Sequence, residues 1–369
     1  AYPITVNSCM DCGFCQLGFV VPPELMYNEN YSYDGSATMG LRQHHISIAN
    51  QICDDFKLER GSLVIDIGSN AGILLSGFRE RGCKVLGIDP SVNVANIARD
   101  KGIEVIGDLF SSELAERIKK EHGQVSVITG TNVFAHIDNL HDFLKAADIL
   151  LNENGIICIE APQLMTLIEN LEYDTIYHEH LSYLSLRPLR DFCKKMHMDI
   201  FNVEFYEIHG GSFRYFIGRE NLREISENIP KFLELEEQKE IYKKSRLEKF
   251  ALDVKNQKQE LNSLLWKLKK EGKKIVGISA PAKGNALTNY CKISPDLMDY
   301  ITELNPLKIG KFSPGMHIPI VEEDRLLIDK PDYGLILAWN FADEIIKNNQ
   351  KFVENGGKFI IPIPHPKIV

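Results

Sequence analysis

Short apolar runs alternate with amphipathic segments along residues 62–160 of the chain. The apolar runs predict buried strands, and the longer segments between them predict helices. The predicted strands are residues 63–68, 85–89, 104–106, 125–129 and 155–160, and the predicted helices are residues 40–57, 71–81, 91–100, 111–121 and 139–151. Strands separated by helices in this way favour a parallel, doubly wound sheet. Two further strands predicted within residues 196–218 close that sheet as an antiparallel pair.

The flanking segments have other patterns. Residues 1–30 carry Pro3, Pro22 and Pro23 and are predicted to be irregular. Residues 220–272 combine spaced apolar positions with mixed charge, which predicts one or two long amphipathic helices that act as a connector. A second alternating block follows, with predicted strands at residues 274–279, 300–303, 334–339 and 358–362. The pattern therefore predicts a second, smaller C-terminal α/β domain.

The length agrees with this division, since 369 residues correspond to two or three domains at about 100–200 residues each. The predicted parts are a short N-terminal module at residues 1–40, an α/β domain at residues 41–219, a helical connector at residues 220–272 and a C-terminal α/β domain at residues 273–369.

Composition limits the classes of partner. Hydrophobic residues make up 44% and charged residues 25%, which excludes a disordered or collagen-like chain. With 51 acidic and 42 basic side chains the net charge is −9, which argues against a nucleic-acid partner. No apolar run approaches the roughly 20 residues needed to cross a bilayer, and the first residues lack the pattern of a signal peptide. We therefore expect a cytoplasmic protein without a membrane partner, either a monomer or a weak homo-oligomer.

Three of the eight cysteines are clustered near the start of the chain. Cys9 and Cys12 have the C-x-x-C spacing with which two thiolates grip one zinc ion. A structural zinc site needs four ligands, and the chain has no second C-x-x-C pair. These two cysteines are therefore half of a zinc site, and zinc is expected only if further ligands complete it. The five scattered cysteines are expected to be free buried thiols in a reducing compartment.

A glycine-containing loop joins the first strand of the predicted sheet to the helix that follows. It reads Asp66-x-Gly68-x-x-x-Gly72, whereas in a dinucleotide fold the second glycine comes two residues after the first. The glycines permit a tight turn, and the start of the helix offers unpaired N–H groups to a ligand. A carboxylate at Asp66 suits a ligand with a cationic ammonium group, such as the methionine part of S-adenosylmethionine.

Acidic residues follow the next two strands as well. Asp89 is placed to accept hydrogen bonds from ribose hydroxyls, and Asp108 with Leu109 is placed to flank an adenine ring. The alternative, a glycine-rich turn that binds nothing, does not account for this acidic series. The region 60–160 resembles class I S-adenosylmethionine-dependent methyltransferases, which have a Rossmann-like sheet. The candidate cofactor-binding residues are Asp66, Gly68, Ser69, Asn70, Gly72, Asp89, Asp108, Leu109 and Asn132.

A cluster of reactive side chains follows the fifth strand. Tyr177, Glu179 and His180 supply a phenol, a carboxylate and an imidazole within four residues. His180 can act as a general base near neutral pH, with Glu179 orienting it and Tyr177 stabilising an oxyanion. The alternative is an ordinary polar loop. His136, after the fourth strand, points to the same edge, with a structural hydrogen-bonded histidine as its alternative.

These motifs resemble those of the sugar C-methyltransferases, which act on nucleotide-linked 4-keto-deoxysugars. The resemblance covers essentially the whole chain. It is carried by the run from Tyr177 to Tyr183, His209-Gly210-Gly211-Ser212, Cys9-x-x-Cys12-Gly13, Tyr31-Ser32-Tyr33, the stretch from Ala280 to Asn285, and Ile363-Pro364-His365-Pro366. It implies a zinc-binding, substrate-capping module at residues 1–40, a methyltransferase domain at residues 41–219 and a C-terminal domain that helps to hold the nucleotide sugar.

The resemblance also implies roles. A base removes the proton beside the ketone, and the enolate carbon attacks the sulfonium methyl group. By similarity His180 is this base, with Tyr177, Glu179 and His136 in support. A phenol from the N-terminal region, either Tyr31 or Tyr33, is expected to reach the cleft. The family has a second C-x-x-C pair upstream of Cys9, so either this chain is truncated or this member lacks the zinc.

The loop from Ala280 to Asn285 lacks the GK[ST] of a P-loop. The interpretation is that its backbone N–H groups and a lysine face the diphosphate of the substrate, and the alternative is a packing turn. The candidate substrate-binding residues are His209, Lys283, Gly284 and Asn285. Two other functions stay open: an O- or N-methyltransferase acting on a nucleotide sugar, and a catalytically silent S-adenosylmethionine- or nucleotide-binding module.

Overall fold

The computed structural model describes residues 2–27, 39–208 and 210–369. Its strands are β1 Val6–Ser8, β2 Cys15–Leu17, β3 Leu63–Ile67, β4 Lys84–Ile88, β5 Val105–Ile106, β6 Val125–Thr131, β7 Leu151–Pro162, β8 Ser182–Tyr183, β9 Met198–Tyr206, β10 Ser212–Arg219, β11 Ile275–Ile278, β12 Ile301–Glu303, β13 Ile320–Glu322, β14 Tyr333–Ile336, β15 Lys358–Ile361 and β16 Lys367–Ile368.

The α-helices are α1 Pro23–Met26, α2 Met39–Asp55, α3 Ile73–Glu80, α4 Val92–Asp100, α5 Ser112–His122, α6 Leu140–Leu150, α7 Leu164–Glu169, α8 Leu186–Lys195, α9 Asn228–Gln238, α10 Lys244–Lys270, α11 Ala282–Cys291, α12 Arg325–Ile328, α13 Ala342–Asn348 and α14 Gln350–Glu354. Short 3₁₀ helices occupy Phe134–His136, Tyr173–Thr175 and Trp339–Phe341. In the described ranges, no helix combines the length and the apolar character that a bilayer crossing requires.

The chain divides into two compact units. The first unit comprises Ala1–Gln163, Leu181–Glu207 and Ser212–Gln238, and the second comprises Leu164–His180, Ile208–Gly211 and Lys239–Val369. This division differs from the predicted boundaries, because residues 164–180 and 208–211 belong to the second unit together with the C-terminal residues. The predicted connector is divided as well, since α9 belongs to the first unit and α10 to the second.

A seven-stranded sheet forms the centre of the first unit. Its strand order is β5-β4-β3-β6-β7-β10-β9, parallel except for β10, which is antiparallel to both of its neighbours. Alternate residues of β3 face opposite sides. Val64 packs in one apolar cluster with α2 and α3, and Ile65 packs in another with α5 and α6. Burial on both faces explains the continuous apolar runs, and the predicted doubly wound sheet with its antiparallel pair is confirmed.

The second unit has its own six-stranded sheet. The order is β13-β12-β11-β14-β15-β16, parallel except for the last strand. Leu261, Leu265 and Leu268 of α10 are buried in the same apolar cluster as Ile275 and Leu335 of the sheet. A second C-terminal α/β domain is therefore confirmed, and α10 is part of its core because its apolar stripe is covered by that sheet.

The leading residues are more ordered than the sequence pattern predicts. β1 and β2 form an antiparallel hairpin, and β2 also pairs with β8 to give a small three-stranded sheet. The prediction that residues 1–30 are irregular is therefore wrong for residues 6–17. Strands of three residues are too short to display an alternating pattern, and the partner strand β8 lies about 165 positions further along the sequence.

Candidate active site

The loop after β3 has the backbone that its glycines predict. Gly68 and Gly72 have φ values of +65° and +73°, and Gly72 directly precedes α3. A Cβ atom at Gly72 would lie 2.7 Å from Cδ1 of Ile103, so a larger residue would be both strained and crowded. The Asn70 N–H donates to the Asp89 carboxylate at 2.8 Å, which ties the loop to the end of β4.

Two carboxyl groups lie beneath this loop. Asp66 is 3% exposed, and its carboxylate accepts a hydrogen bond from the Thr129 hydroxyl at 2.7 Å. Burial raises the pKa of Asp66 to about 7, the neighbouring Asp89 adds to the rise, and the Thr129 hydroxyl opposes it. Burial also raises the pKa of Asp89, although the N–H groups of Ser91 and Asn70 work against it. Both carboxyls therefore lie where a cation would favour their ionised forms.

The residues of this loop fit S-adenosylmethionine. The Ser69 hydroxyl is buried and has no hydrogen-bond partner within the described ranges, so the loop holds a polar group that a ligand can satisfy. Carboxylates such as those of Asp66 and Asp89 suit an ammonium group and ribose hydroxyls, and their contacts with the cofactor stay a prediction. Asn132 has φ +55°, and its N–H donates to the Glu160 carbonyl at 2.7 Å, so the end of β6 turns sharply beside the sheet edge.

The residues expected at the adenine ring lie at the surface of the first unit. Leu109 is 48% exposed. The Asp108 carboxylate accepts a hydrogen bond from the Leu109 N–H at 2.8 Å and pairs with Arg117 at 3.1 Å. The contact of Asp108 and Leu109 with an adenine ring therefore stays a prediction.

His136 also belongs to the first unit. Its Nδ1 lies 3.1 Å from the Tyr27 hydroxyl, and the two rings stack with their centroids 6.3 Å apart. The position of Tyr27 beside His136 is not predictable from the sequence, because nothing in the local pattern links it to a residue 109 positions away. Tyr31 and Tyr33, the predicted phenols of the N-terminal region, lie outside the described residues, as does His209.

Tyr177 and His180 meet in the second unit. The Tyr177 hydroxyl lies 2.9 Å from His180 Nε2, and their ring centroids are 4.2 Å apart. His180 Nδ1 lies 2.7 Å from the Thr175 carbonyl oxygen. A carbonyl can only accept, so Nδ1 carries the proton, and Nε2 is unprotonated and accepts the hydrogen bond from the Tyr177 hydroxyl. Glu179 lies in the same turn and is partly exposed.

The surroundings keep His180 in its neutral form. Burial lowers the pKa of His180 to about 4, the Thr175 carbonyl opposes this, and the positive charge of Lys283 adds to the lowering. At neutral pH the imidazole is therefore unprotonated at Nε2, which is the state that a general base requires.

The predicted substrate loop is mostly helix. α11 begins at Ala282, so Lys283, Gly284 and Asn285 lie in its first turn, and only the residues before it form a loop. The Lys283 ammonium lies 4.7 Å from the centroid of the Trp339 ring and is buried at its nitrogen. The Asn285 carbonyl accepts a hydrogen bond from the Asn289 side chain at 2.8 Å.

Cys9 and Cys12 lie at the tip of the β1–β2 hairpin and are exposed. The Cys12 N–H, followed by the Asp11 N–H, lowers the pKa of the Cys9 thiol, an arrangement that favours a thiolate. Over the part of the chain that is described, no group of three or more His, Cys, Asp or Glu side chains is placed to hold a metal ion. Zinc binding by Cys9 and Cys12 stays a prediction.

The first unit contains a buried ionic network that the sequence pattern does not predict. Glu160 and Arg214 are each 1% exposed and form a double hydrogen bond, with N–O distances of 3.0 and 2.7 Å. His44 Nε2 lies 2.6 Å from the other Glu160 oxygen. Burial opposes the ionisation of Glu160, but His44 and Arg214 hold its pKa below the usual range. The sequence signal is Arg214, which stands between Phe213 and Tyr215 in the middle of β10.

Comparison with known proteins gives matches over both units. A family model described as a methyltransferase domain matches residues 46–197, and one described as a C-methyltransferase C-terminal domain matches residues 207–364. The C-methyltransferase NovU of Streptomyces niveus is 33% identical over 369 residues, which is 100% of this chain and 88% of that protein.

Other similarities cover less of the chain. An uncharacterized methyltransferase of Alkaliphilus oremlandii is 28% identical over 151 residues, covering 40% of this chain and 64% of its own length. The magnesium protoporphyrin IX methyltransferase of Synechocystis, solved with bound SAH, is 15% identical and covers 51% of this chain and 90% of that one, with a TM-score of 0.40. That structural score is too low to carry an inference.

The sheet order, the glycine loop and the methyltransferase-domain match identify S-adenosylmethionine as the cofactor. The match to NovU extends over the whole chain at more than 30% identity, and the C-terminal match has the same activity in its description. The chain therefore belongs to the C-methyltransferase family.

Proposed function

We propose that this C-methyltransferase deprotonates a nucleotide-linked 4-keto-deoxysugar beside its ketone and methylates the resulting enolate. The observation that carries the proposal is the pair formed by Tyr177 and His180 in the second unit. One member is a neutral imidazole with an unprotonated Nε2, and the other is a phenol 2.9 Å away. The motifs around this pair resemble those of sugar C-methyltransferases, which supports the 4-keto-deoxysugar as substrate.

Carbon methylation needs a carbanion equivalent, and a ketone provides one at modest energy. The C–H bond next to a carbonyl is acidified because the electrons left behind delocalise onto oxygen as an enolate. Bound S-adenosylmethionine supplies an electrophilic methyl group to that carbon. The chain must therefore remove one proton and stabilise one oxyanion, which are the tasks of a base and of a hydrogen-bond donor.

His180 and Tyr177 can divide these tasks. The Tyr177 hydroxyl has one proton, which it donates either to Nε2 of His180 or to another acceptor. When it turns to the substrate oxygen, Nε2 is released to take the proton from the adjacent carbon. In the substrate, the carbon beside the ketone and the ketone oxygen are about 2.4 Å apart. This separation is close to the 2.9 Å between the Tyr177 hydroxyl oxygen and His180 Nε2. The Thr175 carbonyl holds the Nδ1 proton and stabilises the imidazolium that forms.

The remaining site residues have supporting roles in this proposal. Asp66, Asp89 and the loop between Gly68 and Gly72 hold the cofactor. Glu179 and His136 assist the reacting groups, and a phenol from Tyr31 or Tyr33 completes the substrate pocket. The nucleotide part of the substrate is bound with help from the C-terminal domain.

A deuterium-exchange experiment tests the role of His180 separately from methyl transfer. The protein is incubated in D₂O with the 4-keto-deoxysugar nucleotide and S-adenosylhomocysteine, and loss of the proton beside the ketone is followed by NMR. We expect His180→Asn to reduce the exchange rate by about 10²-fold or more, because the base is lost while both ligands still bind. His365→Asn, which alters an exposed histidine of the same unit, is the matched control.

Two results would contradict the proposal. Exchange at the wild-type rate in His180→Asn would remove His180 from the base role. Absence of exchange in the wild-type protein with every 4-keto-deoxysugar nucleotide tested would remove the substrate class itself.

A further inference from the structure

Two polar residues of the second unit lie at the carboxyl ends of adjacent parallel strands. Lys283 is in the first turn of α11, which follows β11, and Trp339 comes shortly after β14. In the sheet, β12 is the neighbour of β11 on one side and β14 is its neighbour on the other side. In an open α/β sheet this change of direction creates a crevice at the carboxyl edge where functional groups collect.

A chain of contacts leads from this crevice to the turn before His180. The Lys283 ammonium lies 4.7 Å from the centroid of the Trp339 ring, a cation–π distance. The indole N–H of Trp339 donates to Asp174 Oδ2 at 2.7 Å. Asp174 is fully buried and lies in the short 3₁₀ helix Tyr173–Thr175.

This cluster carries unsatisfied polar atoms. The second carboxylate oxygen of Asp174 and the Lys283 nitrogen are both buried, and neither has a hydrogen-bond partner within the described ranges. Burial raises the pKa of Asp174 to about 6, whereas Lys283 and the Trp339 N–H lower it. Buried polar atoms without partners destabilise a fold, so a group of them indicates a function rather than a stabilising role.

Asp174 precedes the residue whose carbonyl orients the proposed base. The Thr175 carbonyl oxygen accepts a hydrogen bond from His180 Nδ1–H, with 2.7 Å between the oxygen and the nitrogen. A shift of the 3₁₀ turn would therefore move this acceptor. Trp339 anchors the turn through Asp174. Lys283 contributes a positive charge that disfavours protonation of His180. Glu172 and Asp174 are the carboxyl groups that interact with the charge of Lys283, and the Tyr177 hydroxyl contacts His180.

We propose that Lys283, Trp339 and Asp174 are positioning residues that fix the orientation of the His180 imidazole for proton removal. This rests on the proposed function, in which His180 is the base. It gives Lys283 a role other than the diphosphate contact expected from its motif, because its buried nitrogen faces an aromatic ring and carboxyl groups. The C-terminal α/β domain then serves the proton transfer as well as substrate binding.

The direct test is ¹⁵N NMR of the His180 imidazole in the ligand-free protein. We expect Lys283→Gln to raise the pKa of His180 from about 4, because a nearby cation is removed. Trp339→Phe keeps an aromatic ring but removes the indole N–H, and we expect it to weaken the preference of His180 for the Nδ1-protonated tautomer. Lys258→Gln is the matched control, since Lys258 lies 4.5 Å over the Tyr290 ring of the same unit.

The same variants are then measured for exchange of the substrate proton. The acid limb of the pH profile should move upward in Lys283→Gln, and Trp339→Phe should lose on the order of tenfold in rate through misorientation of the base. Wild-type His180 titration and tautomer in both variants would overturn the positioning role. An altered His180 titration in Lys283→Gln or Trp339→Phe would support the positioning role. Normal substrate exchange in His180→Asn would contradict the proposed base, so the failure of one proposal can be told from the failure of the other.

Discussion

We expect Asp66 to make the affinity for S-adenosylmethionine depend on pH. Its carboxyl is 97% buried, and burial raises its pKa to about 7 in the protein without cofactor. A cationic ligand that contacts this carboxyl binds its ionised form. Below the pKa of Asp66, binding must therefore release the proton of the carboxyl. Affinity should therefore rise with pH up to about the pKa of Asp66.

The magnitude follows from the ionised fraction of Asp66. With a pKa of about 7, that fraction is about 1% at pH 5 and about 50% at pH 7. The dissociation constant for S-adenosylmethionine should then fall about 50-fold over this interval, which corresponds to about 2.3 kcal/mol. The α-amino group of the ligand, with an ordinary pKa of about 7.7–8.0, stays largely protonated throughout.

Isothermal titration calorimetry in two buffers of different ionisation enthalpy measures both the affinity and the number of protons released. We expect close to one proton released per S-adenosylmethionine at pH 5–6, and neither the release nor the pH dependence in Asp66→Asn. Asp108→Asn, which alters an exposed carboxylate of the same unit, is the matched control. A pH-independent affinity in the wild type, or the same dependence in Asp66→Asn, would refute the contact between Asp66 and the ligand cation.

Two further predictions concern the first unit. Gly72→Ala should weaken cofactor binding and lower the unfolding temperature more than Gly61→Ala, because both sites have positive φ but only at Gly72 does a Cβ meet other atoms within 4 Å; equal effects would contradict the crowding. Glu160→Gln should reduce the free energy of unfolding by about 3–5 kcal/mol in urea titrations, since it leaves the buried Arg214 charge uncompensated. Asp148→Asn, at an exposed ion pair, should change it by no more than about 1 kcal/mol, and equal losses would be inconsistent with the network.

The sequence predicts the features whose causes are local. Strands such as β3 are buried on both faces, so their apolar runs are visible without any knowledge of their partners. The loop glycines are required by positive φ at Gly68 and Gly72, which only local geometry determines. Tyr177 and His180 are three residues apart, so their contact also follows from one turn of the chain.

Features that depend on distant partners could not be predicted in this way. Trp339 and Asp174 are 165 positions apart, and no pattern in either segment indicates their hydrogen bond. Glu160 and Arg214 are joined by register across β7 and β10, which a single sequence does not determine. The boundary between the units also depends on packing, because residues 164–180 follow the first sheet in the sequence but pack with the second unit.

The enolate mechanism is tested most directly by the position of the new methyl group. The protein is incubated with ¹³C-methyl-labelled S-adenosylmethionine and either a dTDP-, GDP- or CDP-linked 4-keto-deoxysugar or the corresponding 4-hydroxy sugar, and the products are analysed by NMR. The prediction is a new carbon–carbon bond beside the ketone with at least one keto sugar, and no reaction with its 4-hydroxy counterpart. Methyl transfer to oxygen or nitrogen, turnover of the 4-hydroxy sugar, or cofactor binding without any product would contradict it.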